Sequence, residues 1–196
     1  MGRIHIDLGS GDGRGPYRWA LAAPNRLIIA TDANPDALLE TAWKAGRKPA
    51  RGGVSNLICI AEPLSVVGRE LGALADIVTV ILPWGLLLQA VAVPLMESLR
   101  EIAALCLPDA RIEIVFSYDP ERDAEVFGMD VDLAEHVAKL PTLYREVGLR
   151  IEQIGKLSNE QLRGYQTTWA KRLGFGKPRQ TWRLLARCLS FQFRSA

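Results

Sequence analysis

A segment near the start of the chain combines a carboxylate with three closely spaced glycines. Residues 4–14 read Ile-His-Ile-Asp-Leu-Gly-Ser-Gly-Asp-Gly-Arg, so Asp7 ends an apolar strand and Gly9, Gly11 and Gly13 follow at alternate positions. Such glycines let the backbone turn sharply and approach a ligand closely, while the carboxylate can fix the turn or face a ligand ammonium group. The pattern is typical of the opening of an S-adenosylmethionine (SAM) site.

A second acidic residue supports a nucleoside-type cofactor. Asp32 ends the next apolar stretch, residues 27–32, about 20 residues past the glycines, where folds of this kind bind a ribose diol. A dinucleotide is the competing ligand, but its fingerprint Gly-x-Gly-x-x-Gly requires glycine where this chain has Arg14. Glycines placed by chance in an ordinary strand–turn–helix unit are the structural alternative, which the two acids together disfavour.

The segments that must position these residues alternate between strands and helices. Apolar strands are predicted at residues 4–8, 27–32, 56–61, 76–82, 111–117, 150–154 and 181–189, and helices at 34–44 and 133–147, with a long apolar helix after residue 85 that bends near Pro94. Residues 46–53 are predicted to form a basic, flexible loop and 119–130 a charged connection. This order predicts an α/β fold with a doubly wound, mostly parallel seven-stranded sheet.

Ligands of such sheets bind outside the carboxyl ends of the strands. The glycine turn, Asp32, Glu62 and the pair Pro83-Trp84 each follow a predicted strand. We therefore expect them to converge on one site.

Size and composition favour one domain over residues 1–196. The chain has 196 residues and is 48% apolar, which suits one substantial core. It has no apolar run of membrane-spanning length and enters a strand at once, so we expect a cytoplasmic protein with no membrane partner. We also expect it to be a monomer. Cys59, Cys106 and Cys188 are expected to be buried reduced thiols, and the two histidines, His5 and His136, are too few for a metal site.

The net charge of +2 hides a strong asymmetry. Residues 41–53 and 161–196 contain 12 of the 24 basic residues and none of the 22 acidic ones, so the rest of the chain carries a net charge of −10. We call these two segments the first and second basic clusters. A single cluster of this kind is most simply explained by charged residues on solvated helix faces. Two clusters beside cofactor motifs instead indicate a polyanionic partner such as RNA.

Two tryptophans occur where a substrate base could stack. Trp84 follows a strand at a turn restricted by Pro83, and Trp169 lies in a segment with basic flanks. Either indole alone is ordinarily explained by core packing, but as a pair they could sandwich a flipped nucleobase. Trp19, Trp43 and Trp182 have no such setting and are assigned to packing.

The acceptor chemistry that these residues permit is simple. A ring nitrogen such as adenine N1 has a free lone pair and needs no proton removal before attack, so positioning is most of catalysis. The flanking indoles would stabilise the cation that develops on the base. No Asn-Pro-Pro-Tyr type motif for an exocyclic amine is present.

The chain resembles the aminoglycoside-resistance 16S rRNA (adenine-1408-N1) methyltransferases, of class I SAM-dependent fold, over nearly its whole length. The resemblance is carried by residues 5–14, Lys48–Asn56, Pro83-Trp84-Gly85 and residues 169–176 (Trp-Ala-Lys-Arg-Leu-Gly-Phe-Gly), of which the last two are specific to the family. It implies SAM-dependent methylation of N1 of adenine 1408 in the assembled 30S subunit, with resistance to kanamycin and apramycin.

The resemblance also implies roles for individual residues. Trp84 and Trp169 would hold the target adenine. The cofactor would be bound by Asp7, Gly9, Gly11, Gly13, Asp32, Ala61, Glu62, Ile81, Leu82, Pro83, Gly85, Leu86, Thr167 and Thr168. Ribosomal RNA phosphates would be bound by Lys44, Arg47, Lys48, Arg51, Lys171, Arg172, Lys177 and Arg179.

Two other functions stay open at the level of the sequence. A tRNA guanine-N7 methyltransferase has a related fold, but it would carry its own substrate motifs in place of the Trp84 and Trp169 pair. A non-catalytic RNA-binding or ribosome-assembly module would have no need of an intact Asp7, of the glycine turn or of Asp32.

Overall fold

The seven predicted strands all form, and they make one sheet. The computed structural model describes residues 3–93, 95–118, 133–165, 167, 170 and 180–189. The strands are β1 (Arg3–Leu8), β2 (Arg26–Thr31), β3 (Leu57–Ile60), β4 (Ala75–Ile81), β5 (Cys106–Tyr118), β6 (Leu149–Lys156) and β7 (Gln180–Cys188). Their order is β3-β2-β1-β4-β5-β7-β6. Neighbours from β3 to β5 are parallel and β7 is antiparallel to both of its neighbours, which confirms the mostly parallel sheet.

Helices connect the strands. They are α1 (Arg14–Ala22), α2 (Pro35–Ala45), α3 (Leu64–Leu71), α4 (Gly85–Ala92), α5 (Met96–Ala104), α6 (Leu133–Glu146) and α7 (Asn159–Arg163), with a 3₁₀ turn at Pro49–Arg51. The start of α2 follows the prediction, because Asn34 Oδ1 accepts the Asp36 N–H at 3.1 Å and Pro35 occupies the first turn. No helix in these ranges is long and apolar enough to cross a membrane.

The segment after β4 differs from the prediction of one long bent helix. Helix α4 ends at Ala92, where the Val93 N–H closes the last turn on Gln89 O, and α5 begins separately at Met96. A proline ring clashes with the preceding helical turn and offers no N–H, so a proline can end a helix as well as bend it. Pro94 itself lies outside the described residues.

Strand β5 begins at Cys106, five residues before its predicted start at Arg111. Its first part is irregular, because Asp109 adopts a positive φ of 63° and the register with β4 shifts between Ala75 and Ile77. The prediction depended on a continuous apolar run, which Pro108 and Asp109 interrupt, so it placed the start of the strand after them. Cys106 and Cys188 are buried free thiols as expected, but Cys59 is only half-buried.

The core lies on both faces of the central strands. Ile6 and Val78 on one face and Val115 on the other have no exposed surface. The buried Tyr144 of α6 donates its hydroxyl to Val91 O of α4 at 2.9 Å, which joins two helices over the sheet. Since β1 leads through α1 to β2 on one side and has β4 on the other, the strand order reverses beside β1. This switch point is where open α/β sheets form a crevice.

Candidate cofactor and substrate site

A cleft of about 570 Å³ lies at the switch point. Its lining comes from the segments that follow four parallel strands. The lining residues in those segments include Gly9, Ser10, Gly11 and Asp12 after β1, Asp32 and Ala33 after β2, Glu62 and Pro63 after β3, and Leu82, Pro83 and Trp84 after β4. The convergence predicted from the strand ends is therefore confirmed.

The turn after β1 needs glycine for two different reasons. Gly9, Gly11 and Gly13 all have positive φ angles, of 69°, 55° and 67°, a region that other residues rarely adopt. A Cβ on Gly9 would also lie 2.8 Å from Leu87 Cδ2 of α4, whereas one on Gly11 would meet nothing within 4 Å. Gly9 thus permits close packing of α4, and Gly11 leaves the backbone open to a ligand.

Three of the described residues predicted to bind the cofactor lie outside the cleft lining. They are Gly13, Ala61 and Gly85. A Cβ on Gly13 would lie 3.0 Å from Thr41 Cγ2 and 3.1 Å from Leu38 Cδ2, so Gly13 allows α1 to start against α2.

Asp32 joins the glycine turn to the end of β2. Its Oδ2 accepts the Gly11 N–H at 2.8 Å and its Oδ1 accepts the Asn34 N–H at 2.9 Å. Each carboxylate oxygen has a second lone pair, so the residue can hold the turn and still accept hydrogen bonds from a diol in the cleft.

Asp7 is buried at the floor of the cleft, in a polar chain that crosses from β1 to β4. The Thr79 hydroxyl donates to Asp7 Oδ1, and Thr79 Oγ1 lies 3.0 Å from His5 Nε2. Burial raises the pKa of Asp7 to about 6, against the lowering effect of the Thr79 and Ser10 hydroxyls. An acid with this pKa is mostly ionised at neutral pH, and a cation placed beside it would favour its charged form further.

Trp84 lies at the edge of the cleft on a tightly constrained turn. Leu82 and Gly85 both have positive φ angles, of 54° and 56°. The Leu82 N–H is tied to Val115 O at 2.7 Å. A non-glycine residue in this region stores about 1–3 kcal/mol, and such strain concentrates at functional sites. Trp84 is 47% exposed, so a large part of its indole can meet a substrate.

Sequence reasoning missed part of the lining. Ser98 and Glu101 of α5 border the cleft, as do Pro16 and Trp19 of α1. Gly68 of α3 brings Glu101 in, because a Cβ there would lie 2.9 Å from Glu101 Cβ. Burial raises the pKa of Glu101, with a further contribution from Glu97. No strand-end pattern marks these positions; only the small residue in α3 hints at a close helix contact.

The segment that contains the second tryptophan is described at two positions. Thr167 lines the cleft and its Oγ1 accepts the Ala170 N–H at 2.9 Å. The other predicted site residues of this segment lie outside the described residues: Thr168, Trp169, Lys171, Arg172, Lys177 and Arg179.

The basic residues of the first cluster lie on the surface at the end of α2. Lys44 Nζ is 4.1 Å from the centre of the Tyr17 ring, and the Arg47 guanidinium is 3.8 Å from that of Trp43. Trp43 is 67% exposed, so its assignment to packing was wrong. Trp182 does pack against the core, and Trp19 both stacks on His5 at 4.6 Å and lines the cleft.

The loop that carries Lys48 and Arg51 is folded back on α2. The Gly53 N–H donates to Lys48 O at 3.2 Å and the Val54 N–H to Ala45 O at 3.0 Å. A Cβ on Gly53 would lie 1.6 Å from Arg47 O, so only glycine fits there. Residues 46–53 therefore hold a 3₁₀ turn with defined hydrogen bonds, where the sequence indicated a flexible loop.

Two arginines of the second basic cluster are paired with acidic side chains of the sheet. Arg183 Nε donates to Glu113 Oε1 at 2.8 Å, and Arg187 Nε lies 3.5 Å from Glu152 Oε2. They are consequently less available to a partner than the charge count alone indicates.

The cleft has the features that SAM requires. Its volume of about 570 Å³ falls in the range of small-molecule sites. Gly11 leaves open space next to the backbone, Asp32 can accept from a diol, and Asp7 can face an ammonium or sulfonium group.

The chain matches a known family over most of its length. A family model described as 16S rRNA (adenine(1408)-N(1))-methyltransferase matches residues 1–188. The protein of that name from Escherichia coli is 33% identical over 187 residues, which cover 93% of this chain and 85% of that protein. Its counterpart from Streptoalloteichus tenebrarius is 32% identical over 190 residues, which cover 90% of this chain and 82% of that protein.

Solved structures are similar in the same way. A crystal structure of the 16S rRNA (adenine(1408)-N(1))-methyltransferase from Catenulisporales acidiphilia, a tryptophan-to-alanine mutant with the cosubstrate SAM, matches with a TM-score of 0.84 and 29% identity. That match covers 99% of this chain and 88% of the other. The 16S rRNA methyltransferase KamB matches with a TM-score of 0.79 and 27% identity, covering 95% of this chain and 88% of the other.

Proposed function

This chain belongs to the 16S rRNA (adenine(1408)-N(1))-methyltransferase family, and we propose its reaction from that premise. It is accordingly a SAM-dependent methyltransferase that acts on rRNA. We infer that the acceptor is N1 of adenine 1408 in the 16S rRNA of the assembled 30S subunit. Methylation there would confer resistance to kanamycin and apramycin.

The exposure of Trp84 at the mouth of the cleft carries the proposal. A nearly half-exposed indole on a strained turn beside a cofactor-sized cleft offers a flat surface to a planar substrate. Stacking of one base on an aromatic side chain is worth about 1–3 kcal/mol. Trp169 is proposed to cover the other face of a base turned out of its helix.

Methyl transfer to a ring nitrogen requires little acid–base catalysis by the protein. When bound, SAM would supply an electrophilic methyl group on its sulfonium, and the methyl–sulfur bond that breaks on transfer would leave its electron pair on sulfur as a neutral thioether. The adenine N1 lone pair attacks without losing a proton, so the indoles need to hold the base in line and exclude water. As positive charge develops on the ring, the electron-rich indole faces stabilise it.

Methylation of purified 30S subunits with labelled SAM tests the proposal. N1-methyladenine has a blocked Watson–Crick edge, so reverse transcription should stop next to position 1408. Subunits that carry guanine at 1408 are the matched control and should stay unlabelled. Label in tRNA, or in 16S rRNA at another position, would contradict the proposed target.

A further inference from the structure

Helix α2 presents an apolar and aromatic surface that the cofactor cleft does not use. Leu39 and Trp43 are four residues apart, so they share one face of the helix. They are 61% and 67% exposed. Arg47, just beyond the helix, places its guanidinium 3.8 Å from the centre of the Trp43 ring. We call Leu39, Trp43 and Arg47 the α2 platform.

The indole of the platform is held in place before any partner arrives. Arg47 covers part of it, and the Arg47 carbonyl lies so close to Gly53 that no other residue fits there. The loop is fixed further by the hydrogen bond from Val54 N–H to Ala45 O. An aromatic group in a fixed position loses little conformational freedom on binding.

The charges around the platform select the class of partner. Lys44, Lys48 and Arg51 are exposed and lie close to Trp43 in the sequence, and residues 41–53 contain no acidic residue, although Asp36 and Glu40 are exposed in the first half of α2. None of these three side chains, nor Arg47, makes an ion pair within the part of the chain that the structure describes. An exposed indole with one guanidinium against it and three further cations nearby in the sequence matches a polyanion that also carries flat bases, which is the chemistry of RNA.

The platform is separate from the cleft. Leu39, Trp43 and Arg47 are not among the residues that line the cleft. Trp43 lies eight residues beyond Pro35, the first residue of α2, which is about 12 Å along the helix at 1.5 Å per residue. A nucleotide that contacts Trp43 is therefore not the one that reacts.

We propose that Trp43, oriented by Arg47, stacks on an unpaired or helix-terminal nucleotide of the rRNA substrate and so fixes how the enzyme docks. The inference deepens the proposed function and rests on it. Because stacking releases no counterions, this contact differs measurably from the phosphate contacts of the neighbouring lysines and arginines.

Binding of Trp43→Ala, Trp43→Phe and Lys48→Ala to purified 30S subunits at a series of salt concentrations tests the inference. Trp43→Ala should weaken binding by about fivefold or more with an unchanged salt slope, and Trp43→Phe should recover most of the loss. Lys48→Ala should instead make the salt slope shallower by about one. Leu95→Ala, which removes an exposed leucine outside the platform, should bind as the wild type does.

Three results separate the possible failures. Wild-type affinity of Trp43→Ala, with the wild type still methylating subunits, would overturn the platform alone. A wild type that leaves subunits unmethylated would overturn the proposed function, and the platform with it. Self-association of the wild type that Trp43→Ala abolishes in sedimentation would assign the platform to a second copy of this chain.

Discussion

At the scale of single residues, the indoles are the most direct test of the chemistry. Trp84→Ala should abolish methylation and resistance while the protein remains folded and still docks on the subunit. Phenylalanine should substitute better than alanine, because a smaller ring keeps part of the stacking and part of the cation stabilisation. Methylation assays on Trp84→Ala, Trp84→Phe and the same changes at Trp169 would measure this.

The double variant adds a quantitative check. One-sided stacking would not hold the base in line with the methyl group, so removal of both indoles should be little worse than removal of one. Resistance retained by Trp84→Ala at normal expression would show that something else holds the base.

Asp32 should contribute to cofactor binding by a measurable amount. Asp32→Ala is expected to weaken SAM binding by about 1–3 kcal/mol, because charge-assisted hydrogen bonds to the ribose are lost. The variant also releases the Gly11 N–H, so turn and ligand contacts are lost together. Calorimetry against Asp36→Ala, an exposed acid outside the cleft lining, provides the comparison. Equal affinities would remove Asp32 from the site.

His5 should make stability depend on pH. Burial, assisted by the charge of Arg26, lowers the pKa of His5 from 6.5 to about 4. Below pH 6.5 His5 is protonated in the unfolded chain but stays neutral in the folded chain, so the contribution of His5 to stability is lost as the pH falls from 6.5 towards 4. The difference between the pKa values of His5 in the unfolded and the folded chain corresponds to about 3 kcal/mol in the free energy of unfolding. Asp7, whose pKa is raised to about 6, changes stability in the opposite direction.

The variant His5→Phe isolates that contribution, since it keeps a ring against Trp19 but cannot titrate. Denaturant unfolding of both proteins between pH 4 and 7 should show the wild type gaining stability relative to the variant as the pH rises. Parallel curves would mean that His5 does not titrate in this range.

At the scale of elements, the two basic segments should act on RNA and not on the cofactor. Arg172→Glu or Arg179→Glu should weaken binding to 30S subunits, most strongly at low salt, and leave SAM affinity unchanged. Arg69→Glu on α3, outside both basic clusters, reverses a charge of the same kind and controls for net charge. If binding at low salt equals that of the wild type, the second basic cluster is an ordinary solvated face.

The elements around the cleft also show which local sequence signals are sufficient to predict where an element ends. Strand ends marked by Asp32, Glu62 and Pro83 could be placed from the sequence, because each marker follows its own apolar run. The division of one apolar segment into α4 and α5 could not, because a proline can either bend or end a helix and the surrounding packing decides which.

At the scale of the whole molecule, the segments that follow four strands of one sheet line the cleft together with residues of helices α1 and α5. We therefore expect residues 1–196 to unfold in a single cooperative transition, and SAM to raise its midpoint because only the folded chain binds it. Calorimetric scans with and without SAM measure both effects. Two separate transitions, of which SAM shifts one, would contradict a single domain.

Charge is also arranged at this scale. Half of the basic residues lie in two acid-free segments, and the remainder of the chain is acidic. Two of these basic residues form ion pairs with acidic residues of neighbouring strands, Arg183 with Glu113 and Arg187 with Glu152. Fewer basic residues are thus available to the proposed RNA partner than the composition alone indicates.

The sequence by itself determined the strands, the glycine turn and the acids at the strand ends, because these depend on local requirements of the backbone and on apolar runs within one segment. Tertiary structure alone decided which glycine packs against a helix and which opens to the cleft, since that depends on Leu87 and Thr41, distant in the chain. It also decided that Trp43 lies exposed and that Glu101 reaches the cleft. The burial of a side chain is a property of the neighbours that folding brings to it, and no local pattern encodes those neighbours.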